Sequence, residues 1–428
     1  MMSALDEWLA HAPSPRSLRS DQRWHVFLSY RSVHRPWVIQ LYDVLRHLGF
    51  EVFLDQYALS SADSLVGGLE EALEQSAGGI LVWSSQTEDS PWCTKEYRSM
   101  EHRQLTDPQF HYAVAKLDGV MLPLFAQQKL YVDFSGDREG PRGTGLLRLL
   151  YGLLGQTLPD GAVRLAVRMD EATKEALAAI QGARTAGNVQ SLLEMASSEG
   201  LAWQSSPILG CQVAEALIAL KQPESALQVL AGLRARFPKS IRPRQLEGLA
   251  LARLGDWRKA QEILESLVAA GEQDPETLGI CGRTWMDRFH ESKNVLHLRK
   301  SRDLYAQAFR NAPRDYYTGI NAASKSVLLG DIEAAQGFAT KVEEIVGTEI
   351  RFGDYWWTAT VAEVQLIQKN YKKAARLYEA AVAMAPEERA NHESTWLQAK
   401  RLMEKLESAP EPRSLVAQAF VHLGDVTP

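Results

Sequence analysis

The sequence predicts two folds in succession: an α/β domain on a parallel five-stranded sheet, then an all-α solenoid of helical repeats. Three observations carry this. Short runs of β-branched and aromatic residues alternate with helical periodicity up to about residue 157. Beyond that point small residues recur at intervals of 34 positions, without a convincing strand pattern. Between the two stands a polar stretch, Pro159-Asp160-Gly161, that reads as a break.

Taken in order, Val26-Phe27-Leu28-Ser29-Tyr30 reads as a buried parallel strand. Trp37 to Leu48 has apolar residues at helical spacing and is closed by Gly49. Phe50-Glu51-Val52-Phe53-Leu54 is a second strand, completing a βαβ unit. A helix from Leu65 to Leu73, a strand over Ile80–Trp83 and a helix opening near Trp92 follow. Tyr112–Leu117 and Lys129–Phe134 read as two more strands, and Leu146–Leu154 as the closing helix. Sheets of this kind bind ligands outside the carboxyl ends of their strands. Tyr30, Arg31, Asp55, Ser84 and Ser85 fall at those ends, with Glu96 on the helix after the third strand.

The chemistry is bounded by what the sequence lacks. There is no GxGxxG turn or P-loop for Rossmann-type dinucleotide binding, and no Cys/His cluster for a metal. One carboxylate near aromatic and hydroxyl groups suits cleavage of an N-glycosidic bond, where a cationic ribose needs an anion beside it. Glu96 fits that role, and Trp92, one turn earlier, could pack beside a ring. Blander roles compete. A Glu early in a helix is favoured by the helix dipole alone. Trp92 could equally be core, Cys93 a small buried residue, and Arg31 either a phosphate ligand or a partner of Asp55.

Four segments in fixed order carry a family resemblance: Val26-Phe27-Leu28-Ser29-Tyr30-Arg31, Phe50-Glu51-Val52-Phe53-Leu54-Asp55, Gly79-Ile80-Leu81-Val82-Trp83-Ser84-Ser85 and Trp92-Cys93-Thr94-Lys95-Glu96. Together they resemble the TIR domain (Toll/interleukin-1 receptor type), a flavodoxin-like module, over residues 22–157. The resemblance implies that NAD is a substrate rather than a cofactor, cleaved at Glu96. It places Tyr30, Arg31, Asp55, Ser64, Ser84 and Trp92 around that substrate, and implies self-association aided by the BB loop, Gln56 to Ser64. Three departures stand out. Ser32-Val33-His34 lacks the acidic residue often found after Ser-Tyr, Ser61-Ala62-Asp63 lacks the loop glycine, and the Phe-Trp pair of the third box is absent.

In the second half, Ala226 and Ala260 stand 34 residues apart, as do Ser301 and Ala335, and Leu192 lies 34 before Ala226. Ala374 marks the last unit. Gly255-Asp256 and Gly330-Asp331 precede their small residue as a turn between paired helices, and Pro238, Pro313 and Pro386 end second helices. This pattern resembles the tetratricopeptide repeat. Longer intervals before Ser301 and Ala374 imply extended units, the first around Glu291–Leu298. Tyr316, Tyr317, Tyr355, Trp356 and Trp357 read mainly as inter-repeat core, and Ala390–Leu406 as a capping helix. Such arrays are usually binding surfaces.

The 428 residues carry a net charge of −6, which disfavours a dedicated nucleic-acid binder. Three unpaired-looking cysteines, no membrane-length apolar run and no secretory leader lead to the expectation of a cytoplasmic protein. The expected layout is an extension (1–21), the TIR-like domain (22–157), a linker (158–170), the repeats (171–408) and a tail (409–428). The expected function is an NAD glycohydrolase effector of bacterial immunity, active when its TIR domains cluster. Its repeats would sense a protein or small-molecule ligand or drive oligomerisation, with no membrane partner. A non-enzymatic adaptor is the competing class, and a producer of a cyclic nucleotide signal a third.

Overall fold

The computed structural model describes residues 4–54, 69–88, 91–122, 131–406 and 408–424. They form two compact units, Met1–Glu272 and Gln273–Pro428.

The first unit opens with α1 (Ala4–His11). Strands β1 (Val26–Ser29), β2 (Val52–Phe53), β3 (Gly78–Trp83), β4 (His111–Lys116) and β5 (Tyr131–Asp133) follow, all parallel, in the order β2-β1-β3-β4-β5. They alternate with α2 (Arg35–His47), helical residues 69–74 (α3), α4 (Ser85–Glu88), α5 (Pro91–Thr106) and α6 (Gly143–Leu153). The second strand is shorter than its apolar run predicts: only Val52 and Phe53 pair with β1. The chain leaves β1 towards β2 and returns to pair β3 on its other side. The topological switch point therefore lies between β1 and β3.

Side chains alternate across this sheet. Phe27, Leu81, Trp83, Tyr112 and Val114 pack with Tyr97 and Met100 of α5 and Leu69 and Leu73 of α3. Gly79 lies on the same face because α5 comes too close for a side chain: a Cβ there would stand 2.9 Å from the Met100 sulfur. Removing that Cβ lets α5 lie against β3, one turn below Glu96.

Residues 158–170, expected to link two domains, are helical from Asp160 onward. They open α7 (Asp160–Thr185), a helix of 26 residues. The residues read as breakers start that helix instead. Pro159 is its extended N-cap residue, and its carbonyl accepts from the Val163 amide at 3.0 Å. Gly161 in the first turn lets His11 of α1 approach. The remaining helices of this unit are α8 (Val189–Ala196), α9 (Leu201–Gln204), α10 (Ile208–Ala219), α11 (Pro223–Arg236), α12 (Arg242–Leu254) and α13 (Trp257–Ala269).

The second unit holds α14 (Pro275–Ser292), α15 (Val295–Asn311), α16 (Tyr316–Leu329), α17 (Ile332–Val346), α18 (Tyr355–Ile367) and α19 (Tyr371–Met384). Then come α20 (Arg389–Lys405) and α21 (Pro410–Ala417), with a 3-10 turn over Gln418–Leu423. The segment expected as a tail is thus largely helical. The longer third unit arises from α14 and α15, of 18 and 17 residues.

The repeat spacing has a direct packing cause. Ala226, Ala260, Ser301, Ala335 and Ala374 are each 0% exposed, where the second helix of a pair meets the first. Gly255 and Gly330 close α12 and α16 in the left-handed region (φ 83° and 80°), which no β-carbon tolerates well. Asp256 and Asp331 then cap α13 and α17 through the amides of Lys259 and Ala334. Tyr355 is buried and Tyr316 and Trp357 pack on the core, whereas Tyr317 and Trp356 are exposed.

Candidate active site

Glu96 lies in the second turn of α5 and is 8% exposed. Its Oε2 accepts a hydrogen bond of 2.5 Å from the hydroxyl of Ser29, the last residue of β1. Among the described residues this is the carboxylate's one hydrogen bond. Burial pushes its carboxyl up to about 7, opposed by the Ser29 bond. The pair sits at the switch point between β1 and β3, where this topology places ligands. Phe27, Leu69 and Leu73 line the adjoining cleft, with Lys95 at its edge paired to Glu70 at 2.7 Å.

A carboxyl raised in this way costs stability once ionised, so the sign of its linkage is defined. Its contribution is intact below about pH 4.5 and is lost as pH rises through about 7. Glu96→Gln is therefore expected to unfold at higher urea concentration than the native protein at pH 8. The gain is on the order of 3 kcal/mol at most, and it disappears near pH 4. Equal offsets at both pH values would mean that the carboxyl is not desolvated.

The other expected site residues separate. Tyr30 follows Ser29 and so points to the opposite face of the sheet. It is 3% exposed, and its hydroxyl accepts from Arg35 of α2. Arg31 is half-buried just beyond it. Ser84, 1% exposed, bonds the His34 ring at 2.6 Å and stands 3.3 Å from the Thr87 hydroxyl. Burial lowers the His34 pKa, which keeps the ring neutral at neutral pH. This is not a Ser-His-Asp triad: among the described residues no hydrogen bond joins His34 to nearby Asp118, which accepts from the Ser85 amide and hydroxyl and from the Val120 amide. Ser84, His34 and Asp118 instead line a second cleft with Trp37 and Phe134. Asp55, Ser64 and the whole Gln56–Ser64 loop lie outside the described residues. Trp92 is in the first turn of α5, four residues before Glu96, but its side chain is also outside them. Among the described residues no group of three or more His, Cys, Asp or Glu could hold a metal. No described helix is long and apolar enough to cross a membrane.

Ser29 and His34 were missed as site residues. The signal for Ser29 is a small hydroxyl at the carboxyl end of the first strand, on the face α5 covers. His34 stands in the segment that departs from the family pattern.

The face carrying Tyr30 is engaged within the first unit. Arg35 is 1% exposed and pairs with Glu272. Asp43, 0% exposed, accepts from the Ile241 amide at 2.7 Å and the Arg242 amide at 3.2 Å. It thereby caps α12, whose own N-cap residue, Ile241, has no side-chain acceptor. His47 packs edge-on against Phe237, with ring centroids 4.6 Å apart.

The TIR domain model matches residues 26–150, and the Tetratricopeptide Repeats-Sensor model matches residues 222–329. The chain therefore carries a TIR domain followed by a tetratricopeptide-repeat sensor domain. Among characterised relatives, the TMV resistance protein N of Nicotiana glutinosa is 34% identical over 84 residues, 19% of this chain. The match spans only 7% of that relative's length. Solved structures similar in fold include a thermophilic TPR protein of Thermus thermophilus, at 16% identity and TM-score 0.36. That match covers 46% of this chain and 97% of the other. MamA from Desulfovibrio magneticus matches at 19% identity and TM-score 0.32, covering 40% and 93%.

Proposed function

We propose that the TIR domain cleaves the bond between nicotinamide and ribose in NAD, with Glu96 as the catalytic carboxylate. The observation that carries this reading is a nearly buried carboxylate at the switch point, held by one hydroxyl. The C1′–N bond breaks with its electron pair going to nicotinamide, which leaves as a neutral molecule without needing a proton. The ribose left behind is oxocarbenium-like, and an anion beside it lowers the barrier. Water then forms the new C1′–O bond and loses a proton, giving ADP-ribose; attack from within the molecule gives a cyclic product instead. Ser29 fixes one carboxylate oxygen and leaves the other for the ribose hydroxyls. The approaching pyridinium cation favours the ionised form of a carboxyl poised near neutrality.

Clustering of TIR domains would complete the site, and the repeats would sense the partner or ligand that drives it, in a role in immunity. The surface of α2 around Arg35, Asp43 and His47 is engaged by residues 237–272. TIR–TIR contact in this arrangement therefore uses other faces of the domain.

The test is to incubate concentrated full-length protein with NAD and measure free nicotinamide chromatographically. Release is expected, faster as pH rises through about 7 because the ionised carboxylate is the working form. No nicotinamide at any protein concentration would remove the enzymatic reading and leave the adaptor.

A further inference from the structure

Within the first unit the TIR domain and its own repeats exchange carboxylates. Asp43 of α2 accepts the amides of Ile241 and Arg242 at the start of α12, at 2.7 and 3.2 Å. In the other direction Glu272, beyond α13, takes the Arg35 guanidinium of α2. Arg35, Asp43 and Glu272 are 1%, 0% and 8% exposed. His47, on the same helix, meets Phe237 edge-on.

Charges buried in this way fix a register more than they add net attraction. Separating Arg35 from Glu272 returns both ions to water, which offsets much of what their contact contributes; removing one partner strands the other. Polar contacts between modules of one chain also open more readily than a large apolar core. The TIR domain has a second attachment that survives such an opening. Its helix α6 packs on α7, where Asp170 accepts from the Thr144 amide at 3.0 Å. The chain passes from α6 to α7 through Gly155 in the left-handed region (φ 64°). The contact at α2 also reaches the strand beside Glu96. Arg35 donates to the Tyr30 hydroxyl, and Tyr30 follows Ser29, which donates to the Glu96 carboxylate at 2.5 Å.

We propose that the contact of α2 with α12 and Glu272 is a releasable latch. Closed, it holds the TIR domain on its own repeats; open, it lets the domain pivot on the α6–α7 contact. The regulatory part rests on the reading that clustered TIR domains cleave NAD. A latched domain is confined to its own array, whereas a released one is free to meet the domains of other chains.

The experiment is hydrogen exchange of the full-length protein, resolved to single amides. Ile241 and Arg242 are the reporters, because their acceptor, Asp43, lies across the contact. The amides of residues 80–82 in β3 and 113–115 in β4 measure global unfolding. In native protein the reporters should exchange at least about 10-fold faster than those strands, through an opening that leaves the sheet intact. Glu272→Gln weakens the hold on Arg35 only while the latch is closed. It should speed the reporters by a further factor of about 10 or more and leave the strands unchanged. The latch is overturned by reporters no faster than the strands in native protein, by reporters unmoved in folded Glu272→Gln, or by reporters and strands speeding up together. With NAD present, dilute Glu272→Gln should release nicotinamide faster than dilute native protein; an equal or lower rate from folded, active protein overturns the regulatory role. Absence of nicotinamide from both counts against the cleavage reading alone, and the latch is then decided by exchange, which needs no substrate.

Discussion

Glu96→Gln is expected to lower nicotinamide release by about 100-fold or more while leaving the domain folded, because the amide keeps the shape of the carboxylate and removes its charge. Glu96 is 8% exposed and its described polar partner, Ser29, can donate to an amide oxygen as well as to a carboxylate. The substitution therefore leaves the Ser29 hydroxyl with an acceptor. Retention of the native rate in folded Glu96→Gln would assign Glu96 a structural role. The stability offset at pH 8 supplies an independent check that the side chain is buried as described.

A second large effect is expected far from that site. Glu272→Ala removes the carboxylate from Arg35, a guanidinium 1% exposed between α2 and the residues that follow α13. Breaking a buried ion pair from one side costs roughly 3–5 kcal/mol, most of it from the charge left behind. Urea unfolding followed by circular dichroism should show the loss. Arg35→Met combined with Glu272→Ala should recover part of it, because the stranded charge is gone. A single-variant loss under about 1 kcal/mol, typical of a surface pair, would mean that Arg35 is solvated. Tyr30, whose hydroxyl accepts from Arg35, is adjacent in sequence to Ser29, so the same variant reports whether this contact influences the active-site strand.

Much of this was legible in the sequence because it is local or periodic. The strands showed as short apolar runs, and the repeat showed as small residues whose 0% exposure is the reason for their spacing. Glu96 was legible through its distance from three strands. What was not legible depends on long-range contact. Ser29 and Glu96 are 67 residues apart, and Arg35 and Glu272 are 237 apart. Nothing local announces either pair. Tyr30 was grouped with Glu96 because it stands at a strand end and Glu96 on the helix after the third strand, but strand alternation turns Tyr30 to the other face. Pro159 and Gly161 were read as a break because both residues also start helices and permit close packing.

The account rests on Glu96 being the group whose ionisation governs the reaction, and Ser29→Ala addresses that directly. The Ser29 hydroxyl holds the Glu96 carboxyl down against the effect of burial. Removing it should move the acid limb of the pH profile for nicotinamide release to higher pH, while activity at high pH stays measurable. That shift is the predicted result. An acid limb at the same pH in Ser29→Ala and in the native protein, with both folded and active, would contradict the assignment of Glu96 as the titrating catalytic carboxylate.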